Sequence, residues 1–382
     1  MKIQWPTEVS ESVFLRDYWQ QKPLLIPQAF PEFVNPLDEN ELAGLACDEE
    51  ASSRFMQHVQ GNEWRMCMGP LDESFFEELS GNRWSLLVSD IEKLLPDFRS
   101  YLQPFRFIPD WRIDDLMISY APVGGSVGAH IDQYDVFLLQ ASGVREWQIE
   151  TTPRKGHQVS ASSNVSLLSD FHADKIMNLS TGDMLYLPPE YAHHGIAKAE
   201  ACMTWSVGFR APSADEMLPS ILNYLIDELD NTDRFTDPGR ASASSPGLLS
   251  KGDQKKLRHI VREALISNDE QLDNWIGRYL TEAKQATDNA EVLTRDWGYV
   301  KGVFNSAERL VVATDKNMAY TQSHSGATLF ADGDQHECSA ALAMQICDNR
   351  WLTLDHIAAM DQAAVTTLYN RQILIPDSDA TH

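Results

Sequence analysis

Three side chains in this chain have the types and spacing to hold a metal ion: His130, Asp132 one residue apart from it, and a histidine of the much later His193-His194 pair. Two imidazoles and one carboxylate on one face of an octahedral Fe(II) leave three positions open, enough for a chelating co-substrate and dioxygen. In a strand, His130 and Asp132 turn to one face while Ile131 points away, because side chains alternate. The third ligand has to come from elsewhere, since a strand cannot curl round to offer it locally. His193 and His194 are neighbours, so in an extended segment they face opposite ways and one of them ligates. Pro188 and Pro189 before them end a strand, because proline cannot donate within a ladder.

A bare His-x-Asp arises often by chance. The longer string carries the weight: Gly128-Ala-His130-Ile-Asp132-Gln-Tyr134-Asp135, a hydrophobic run, Ser142-Gly143-Val-Arg145-Glu-Trp147, then Gly182-Asp183-Met-Leu-Tyr-Leu-Pro188-Pro189-Glu-Tyr-Ala-His193-His194. A surface-bonded His130–Asp132 pair with a loop-capping His193 would need none of the rest. His172-Ala-Asp174 is a second His-x-Asp, but no hydrophobic strand ending in arginine follows it, and little chain separates it from His193. His58, His157 and His172 read as surface or strand-end residues, as do His324, His336 and His356. The Gly124-Gly-Ser-Val-Gly128 turn lacks the Gly-Lys-Ser/Thr ending and the following helix of a phosphate loop, so it reads as the turn that delivers His130.

On these residues the sequence resembles the bacterial ribosomal oxygenases of the JmjC type, cupin-fold Fe(II)/2-oxoglutarate hydroxylases that act on an arginine of a large-subunit ribosomal protein. The resemblance extends to Phe14-Leu-Arg-Asp-Tyr18-Trp19-Gln-Gln-Lys22-Pro23, to Val123–Phe137 and to Trp205-Ser-Val-Gly-Phe-Arg-Ala-Pro212. It implies that His130, Asp132 and His193 bind the iron, that Arg145 holds 2-oxoglutarate and that Ser119 lies near it. His194 stands where the family carries an acidic residue, a departure that leaves His193 as the ligand. A guanidinium suits the far carboxylate of 2-oxoglutarate, which it can grip with two parallel charge-assisted hydrogen bonds.

Composition narrows the partners. The formal net charge is -25, a field that opposes nucleic acid and anionic membranes and favours basic partners. A free ribosomal protein is such a partner, whereas an assembled particle presents RNA phosphates, so capture before assembly is expected. The same acidity also serves solubility. Five cysteines without a CxxC spacing argue against a disulfide scaffold or zinc site and suit a reducing cytoplasm. No apolar run reaches the ~20 residues of a membrane span, and no signal-peptide pattern opens the chain.

The pattern predicts a mainly β fold with added helices, and the resemblance implies a double-stranded β-helix (cupin/JmjC) core at 1–212, followed by a helical region at 213–295 and a winged-helix-like unit at 296–382. Strands are expected at 22–27, 55–59, 116–121, 135–140, 145–150, 175–179, 183–187, 195–197 and 203–209, a buried segment at 83–90, and helices at 38–50, 72–80 and 91–95. After Pro212 the period changes to that of a helix. Ser213-x-x-Glu216 is a capping box, and Leu218, Ile221, Leu222, Leu225 and Leu229 form a stripe. Two more helices carry Leu257, Ile260, Val261 and Leu265, then Leu272, Trp275, Ile276, Tyr279 and Leu280. The family resemblance implies a dimerisation region here, hence a homodimer. In the last unit, strands at 309–313, 318–321 and 327–331 and helices near 339–347, 353–360 and 361–370 are expected. Its recognition segments are poor in lysine and arginine, against a DNA-binding role.

The reaction implied is oxidative decarboxylation of 2-oxoglutarate to succinate, coupled to hydroxylation of a C–H bond. A cationic substrate side chain wants carboxylates and aromatic faces at the mouth of the site, for which Asp114, Asp115, Tyr134 and Asp135 are candidates. The fold would also serve a JmjC-type demethylase or a small-molecule cupin dioxygenase. The extra helical and winged-helix-like parts favour a macromolecular substrate over either. A non-catalytic binding protein has no use for an open-sided metal site.

Overall fold

The strand Cys202–Phe209 alternates Met203, Trp205, Val207 and Phe209 with Cys202, Thr204, Ser206 and Gly208, and a period of two gives a sheet two faces. The first set joins a core that also holds Leu116, Ile118, Phe137, Leu139, Met184 and Tyr186. In the computed structural model this strand lies at the centre of an eight-stranded antiparallel sheet. The order is Leu24–Ile26, Met184–Leu187, Asp135–Ser142, Cys202–Phe209, Ile113–Ala121, Trp84–Ser89, Ser52–Gln60 and Glu63–Met68. A three-stranded sheet, His193–Ala197, Val144–Ile149 and Lys175–Ser180, forms the opposing layer. Between them lies a second core of Val136, Leu138, Trp147, Ile149, Met177, Leu179, Leu185 and Leu187. The two sheets with their crossing connections make the double-stranded β-helix.

The structure describes residues 1–61, 63–77, 79, 81–159, 167–228, 234–240, 248–265, 269–283 and 292–377. Leu229 of the expected helical stripe lies outside these residues. Contacts divide the chain into two units, Met1–Ala211 and Pro212–Ala380.

In the first unit, Asp38 caps the helix Glu39–Ala46. Its carboxylate accepts from Asn40 and Glu41 N–H, and Glu41 accepts from the Asp38 N–H. Phe14, on the short helix Glu11–Asp17, has no exposed surface and packs on Trp5, Phe107, Phe137 and Tyr186. Truncating so enclosed an aromatic costs about 3–5 kcal/mol. The expected strands form, with one exception: His130-Ile-Asp132 is not a strand, and the strand Glu63–Met68 was not expected. His130 forms a single antiparallel bridge with His193, and residues 131–134 leave the ladder before Asp135 begins the next strand.

In the second unit the capping box at Ser213 and Glu216 forms as expected and opens the helix Ala214–Glu228. Helices Lys251–Leu265 and Asp269–Thr281 follow, then Trp297–Ala307. The strands Leu310–Val312, Met318–Gln322 and Ala327–Ala331 are present, together with Asp334–Cys338, Trp351–Leu352 and Leu374–Pro376. The expected helix at 353–360 is absent. Thr353 N–H donates to His356 Nδ1 at 3.0 Å and closes one 3-10 turn, after which Ile357 takes an extended conformation. The helix expected near 339–347 is the α-helix Ala340–Met344 with a wider π turn behind it.

Candidate metal centre

The bridge between His130 and His193 brings the two imidazoles together, with ring centroids 4.2 Å apart. Asp132 stands between them, Oδ1 3.8 Å from His130 Nε2 and Oδ2 3.6 Å from His193 Nε2. Two ligand atoms each ~2.1 Å from one ion lie about 3–4 Å apart, so one small cation fits. Among the described residues this is the one group of three such side chains whose ligand atoms all lie within 4.8 Å of one another.

Both imidazoles are set for coordination through Nε2. His130 Nδ1 lies 3.0 Å from the Gly128 carbonyl and His193 Nδ1 lies 2.9 Å from that of Tyr191. A carbonyl accepts only, so each Nδ1 carries the proton and each Nε2 presents a lone pair. Burial, with His130 alongside, pushes the His193 pKa down to about 4, so the ring is neutral, the ligating form, across physiological pH. Gly128 needs its backbone freedom. It sits at φ +85°, and a Cβ there would meet Leu167 at 2.9 Å and Trp64 at 3.1 Å.

His194 points to the other face of its strand, near Phe171, and burial, with His130 and Arg145 nearby, holds its pKa down to about 4 as well. It takes no part in the three-residue cluster.

On the strand Val144–Ile149, residues 145, 147 and 149 are buried and alternate with half-buried 144, 146 and 148. Arg145 therefore faces inward, only 3% exposed, and its Nε and Nη2 have no hydrogen-bond partner among the described residues. Its guanidinium lies 5.7 Å from the Trp147 ring, which in turn lies 5.8 Å from His193. An enclosed guanidinium with no anion is costly, and a carboxylate from a ligand would satisfy it. Ser119 is also buried and donates to the Thr204 carbonyl at 3.3 Å. The same inward face carries Gln140, whose Oε1 accepts from Thr204 at 3.1 Å.

The candidates for the mouth divide. Asp114 and Asp115 are half-buried, and Asp114 pairs with Arg210 at 3.1 Å. A Cβ built at Gly208 would lie 3.2 Å from Asp115 Oδ1 and 3.9 Å from the Tyr134 ring, so these two line one small cleft. Tyr134 keeps 40% of its surface exposed, yet its hydroxyl pKa is pushed up, by burial first and then by Asp132 and Asp115. Asp135 departs from the expectation of a mouth residue. It is 0% exposed and accepts from Tyr186 at 2.6 Å and from Gln20 at 2.9 Å, with Arg112 3.4 Å away. A carboxylate so enclosed cannot meet an incoming side chain. His157 is also not on the surface: its side chain is 6% exposed, between Glu150 and Asp170. His172 is exposed, as expected. Sequence reasoning gave no site role to Trp147 or to the backbone carbonyls of Gly128 and Tyr191. The only sequence signal for them is position, two residues before or after an inward-facing residue.

A double-stranded β-helix with two inward histidines and a carboxylate at one end is the architecture of JmjC metal-dependent oxygenases. A JmjC domain family matches residues 100–217, and a ROXA-like winged helix family matches residues 264–374. The chain is 34% identical over 291 residues to the ribosomal protein uL16 3-hydroxylase of Escherichia coli, covering 76% of this chain and 74% of that protein. It is 36% identical over 271 residues to a probable ribosomal oxygenase of Haemophilus influenzae, covering 69% and 66%. The solved structure of the E. coli ribosomal oxygenase YcfD in complex with cobalt and 2-oxoglutarate superposes with a TM-score of 0.79 at 28% identity, over 98% of this chain and 99% of that one. This chain belongs to the JmjC-type ribosomal oxygenase family.

Proposed function

We propose that this protein is an Fe(II)- and 2-oxoglutarate-dependent dioxygenase that hydroxylates an arginine side chain of a large-subunit ribosomal protein. One observation carries the reading: three neutral-or-anionic metal donors stand at one end of a barrel whose interior holds an unpaired guanidinium. The residues fit the group. His130, Asp132 and His193 would hold the iron by Nε2, carboxylate oxygen and Nε2, leaving one side open. When bound, the iron with 2-oxoglutarate supplies the oxidative decarboxylation that drives oxygen insertion into a C–H bond.

The protein's own part is orientation and exclusion. Arg145 pairs with the far carboxylate of 2-oxoglutarate, and the inward Trp147 walls the cavity between Arg145 and His193. Ser119, on the same inward face, is the second polar neighbour proposed for the co-substrate. At the mouth, Asp114, Asp115 and Tyr134 suit a cationic side chain. The half-buried carboxylates can accept its N–H groups, and the ring offers a π face. The named substrate of the E. coli relative is a ribosomal protein. A net charge of -25 favours meeting such a basic protein free of RNA, and we read no direct nucleic-acid contact.

A homodimer belongs to the same proposal. Leu218, Leu222 and Ile226 are exposed at one-turn spacing on one helix, as are Leu257, Val261 and Leu265 on the next. Apolar stripes of that length mark an interface. The domain division proposed is catalytic 1–212, helical 213–295 and winged-helix-like 296–382. No described helix is long and apolar enough to cross a membrane, and the placement proposed is cytoplasmic.

The test is intact-mass analysis of the organism's ribosomal proteins after incubation with the enzyme, Fe(II), 2-oxoglutarate and air, with His193→Ala as control. One protein gaining ~16 Da, the mass of one oxygen atom, only with the intact site bears the proposal out, and fragmentation then shows whether the modified residue is arginine. 2-Oxoglutarate consumed with no protein shifted moves the substrate elsewhere. No consumption removes the oxygenase reading.

A further inference from the structure

The loops that lead into both halves of the metal centre lie outside the sheet ladders, and something must hold them. Residues 131–134 are irregular, and residues 188–192 form the turn before His193. Besides the bridge between His130 and His193, a hydrogen bond joins them where the Glu190 N–H donates to the Asp132 carbonyl at 2.9 Å. The other ties converge on a part of the chain far away in sequence, the N-terminal turn at 18–22. Gln20 donates its side-chain amide to Asp135 at 2.9 Å and its backbone N–H to the Tyr186 hydroxyl at 2.7 Å. That hydroxyl donates in turn to Asp135 at 2.6 Å. One residue on, the Gln21 carbonyl accepts from the Tyr191 hydroxyl at 2.6 Å. Tyr191 is the residue whose carbonyl fixes the proton on His193 Nδ1.

Gln20 adopts φ +57°, the left-handed region that a residue with a side chain enters at a cost. Such a conformation persists where several contacts demand it. Here they are the two hydrogen bonds of Gln20, the bond to the Gln21 carbonyl, and Trp19 stacked on Tyr186 at 5.7 Å with the Arg112 guanidinium 5.5 Å from the Trp19 ring.

We propose that the 18–22 turn is a brace for the metal centre, in which Gln20 acts through Asp135 on the Asp132 segment and Tyr191, anchored on Gln21, acts on His193. The inference rests on the metal-site reading above. Gln20 and Tyr191 are positioning residues: neither reaches the metal position, and each sets a group that orients a ligand. Partners that orient a ligand typically control metal affinity by 10- to 100-fold. A turn that merely anchors the N-terminal segment would change stability and leave the metal site alone.

The experiment is a titration of the full-length metal-free protein with Co(II), followed by its visible absorption bands, for wild type, Tyr191→Phe and Gln20→Ala. Thermal melting of each metal-free protein runs beside it. The brace predicts affinity about 10-fold weaker in each variant, with altered band intensity and melting temperatures close to wild type. Wild-type affinity and spectrum in both variants would overturn it. Were Tyr191→Phe to fold poorly, Gln20→Ala, at an exposed position, decides alone. A wild-type protein that gives no Co(II) bands would sink the metal-site reading instead.

Discussion

Arg145 and Trp147 stand two residues apart on one strand, and both direct their polar atoms into the barrel interior without a partner there. Arg145 Nε and Nη2 and Trp147 Nε1 are buried and unsatisfied among the described residues. Their strand lies between the one carrying His193 and the strand Lys175–Ser180, so the pair forms a wall from the metal ligands inward. Buried donors are nearly always satisfied in folded proteins. Several unsatisfied donors beside a three-ligand cluster mark the space as a place for an anion.

Arg145→Lys and Arg145→Met should separate charge from fork. Lysine keeps the charge but loses the parallel pair of donors, and methionine loses both. Charge-assisted hydrogen bonds contribute about 1.5–3 kcal/mol each. The KM for 2-oxoglutarate is expected to rise roughly 10- to 100-fold in the lysine variant and further in the methionine variant. Co(II) affinity should hardly change in either. Steady-state kinetics over a 2-oxoglutarate series, with a Co(II) titration beside it, measures both.

His193→Ala removes one of three metal donors, and loss of a donor should exceed the effect of losing a supporting group, on the order of 100-fold or more in metal affinity. Folding should tolerate it. The metal-free protein carries a neutral imidazole, fully enclosed, whose burial already disfavours its charged form. Equilibrium dialysis with Fe(II) or Co(II), and a melting curve of the metal-free variant, check the two halves.

A separate pH effect sits away from the site. Glu92 is 3% exposed, and its carboxylate accepts from the Leu116 N–H at 3.0 Å. Burial, reinforced by Asp90, raises its pKa above the ordinary 4.5. In the folded state the neutral form is favoured, so the folded protein binds more protons than the unfolded one between the two pKa values. The ionised group therefore costs stability above that window, about 1.4 kcal/mol for every tenfold gain in proton affinity on folding, and the cost fades as pH falls through it. Glu92→Gln should melt above wild type at neutral and alkaline pH, by about 2–4 °C per kcal/mol, with the gap closing toward the ordinary value. A variant that melts no higher than wild type at any pH would refute this.

The exposed helical stripes make a fourth prediction. Leu222→Glu with Val261→Glu places charge in the centre of both stripes, where Leu222 is 41% and Val261 58% exposed in the single chain. Sedimentation should then report a dimer for wild type and a monomer for the variant. Neither side chain contributes to a buried core of the single chain, so the variant should still fold, with its melting temperature lowered only by what the interface contributes.

How much of this was legible in the sequence depends on how local the physics is. Ser213 and Glu216 close their capping box within one turn, and the strand Cys202–Phe209 alternates by itself, so both could be read directly. The residue types of His130, Asp132 and His193 were legible too. The geometry that unites them was not, because His130 meets the others through one bridge to a distant segment, not through a strand of its own. Asp135 looked like a mouth residue until its partners Gln20 and Tyr186, far off in both directions, turned it inward. His157 looked exposed for the same reason: only folding supplies Glu150 and Asp170 on either side of it. Inward or outward facing for Arg145 waited on the register of its strand with Ala197 and Leu179.

Gly195 offers the sharpest steric test of the cavity wall. It pairs with Trp147 across the two strands, and a Cβ at Gly195 would lie 2.7 Å from Trp147 Cζ3 and 2.8 Å from Cη2. No backbone freedom is at issue; the space is simply taken by the indole. Gly195→Ala must push the ring toward Arg145 on one side or His193 on the other, at a cost of about 1–3 kcal/mol for such overpacking. The expected outcome is a lower melting temperature together with a raised KM for 2-oxoglutarate or weakened metal binding. Combining it with Trp147→Phe, whose smaller ring leaves room for the new methyl, should recover part of the loss, so the two changes will not add. Strict additivity in melting and in KM would mean that Gly195 and Trp147 do not share this space in solution.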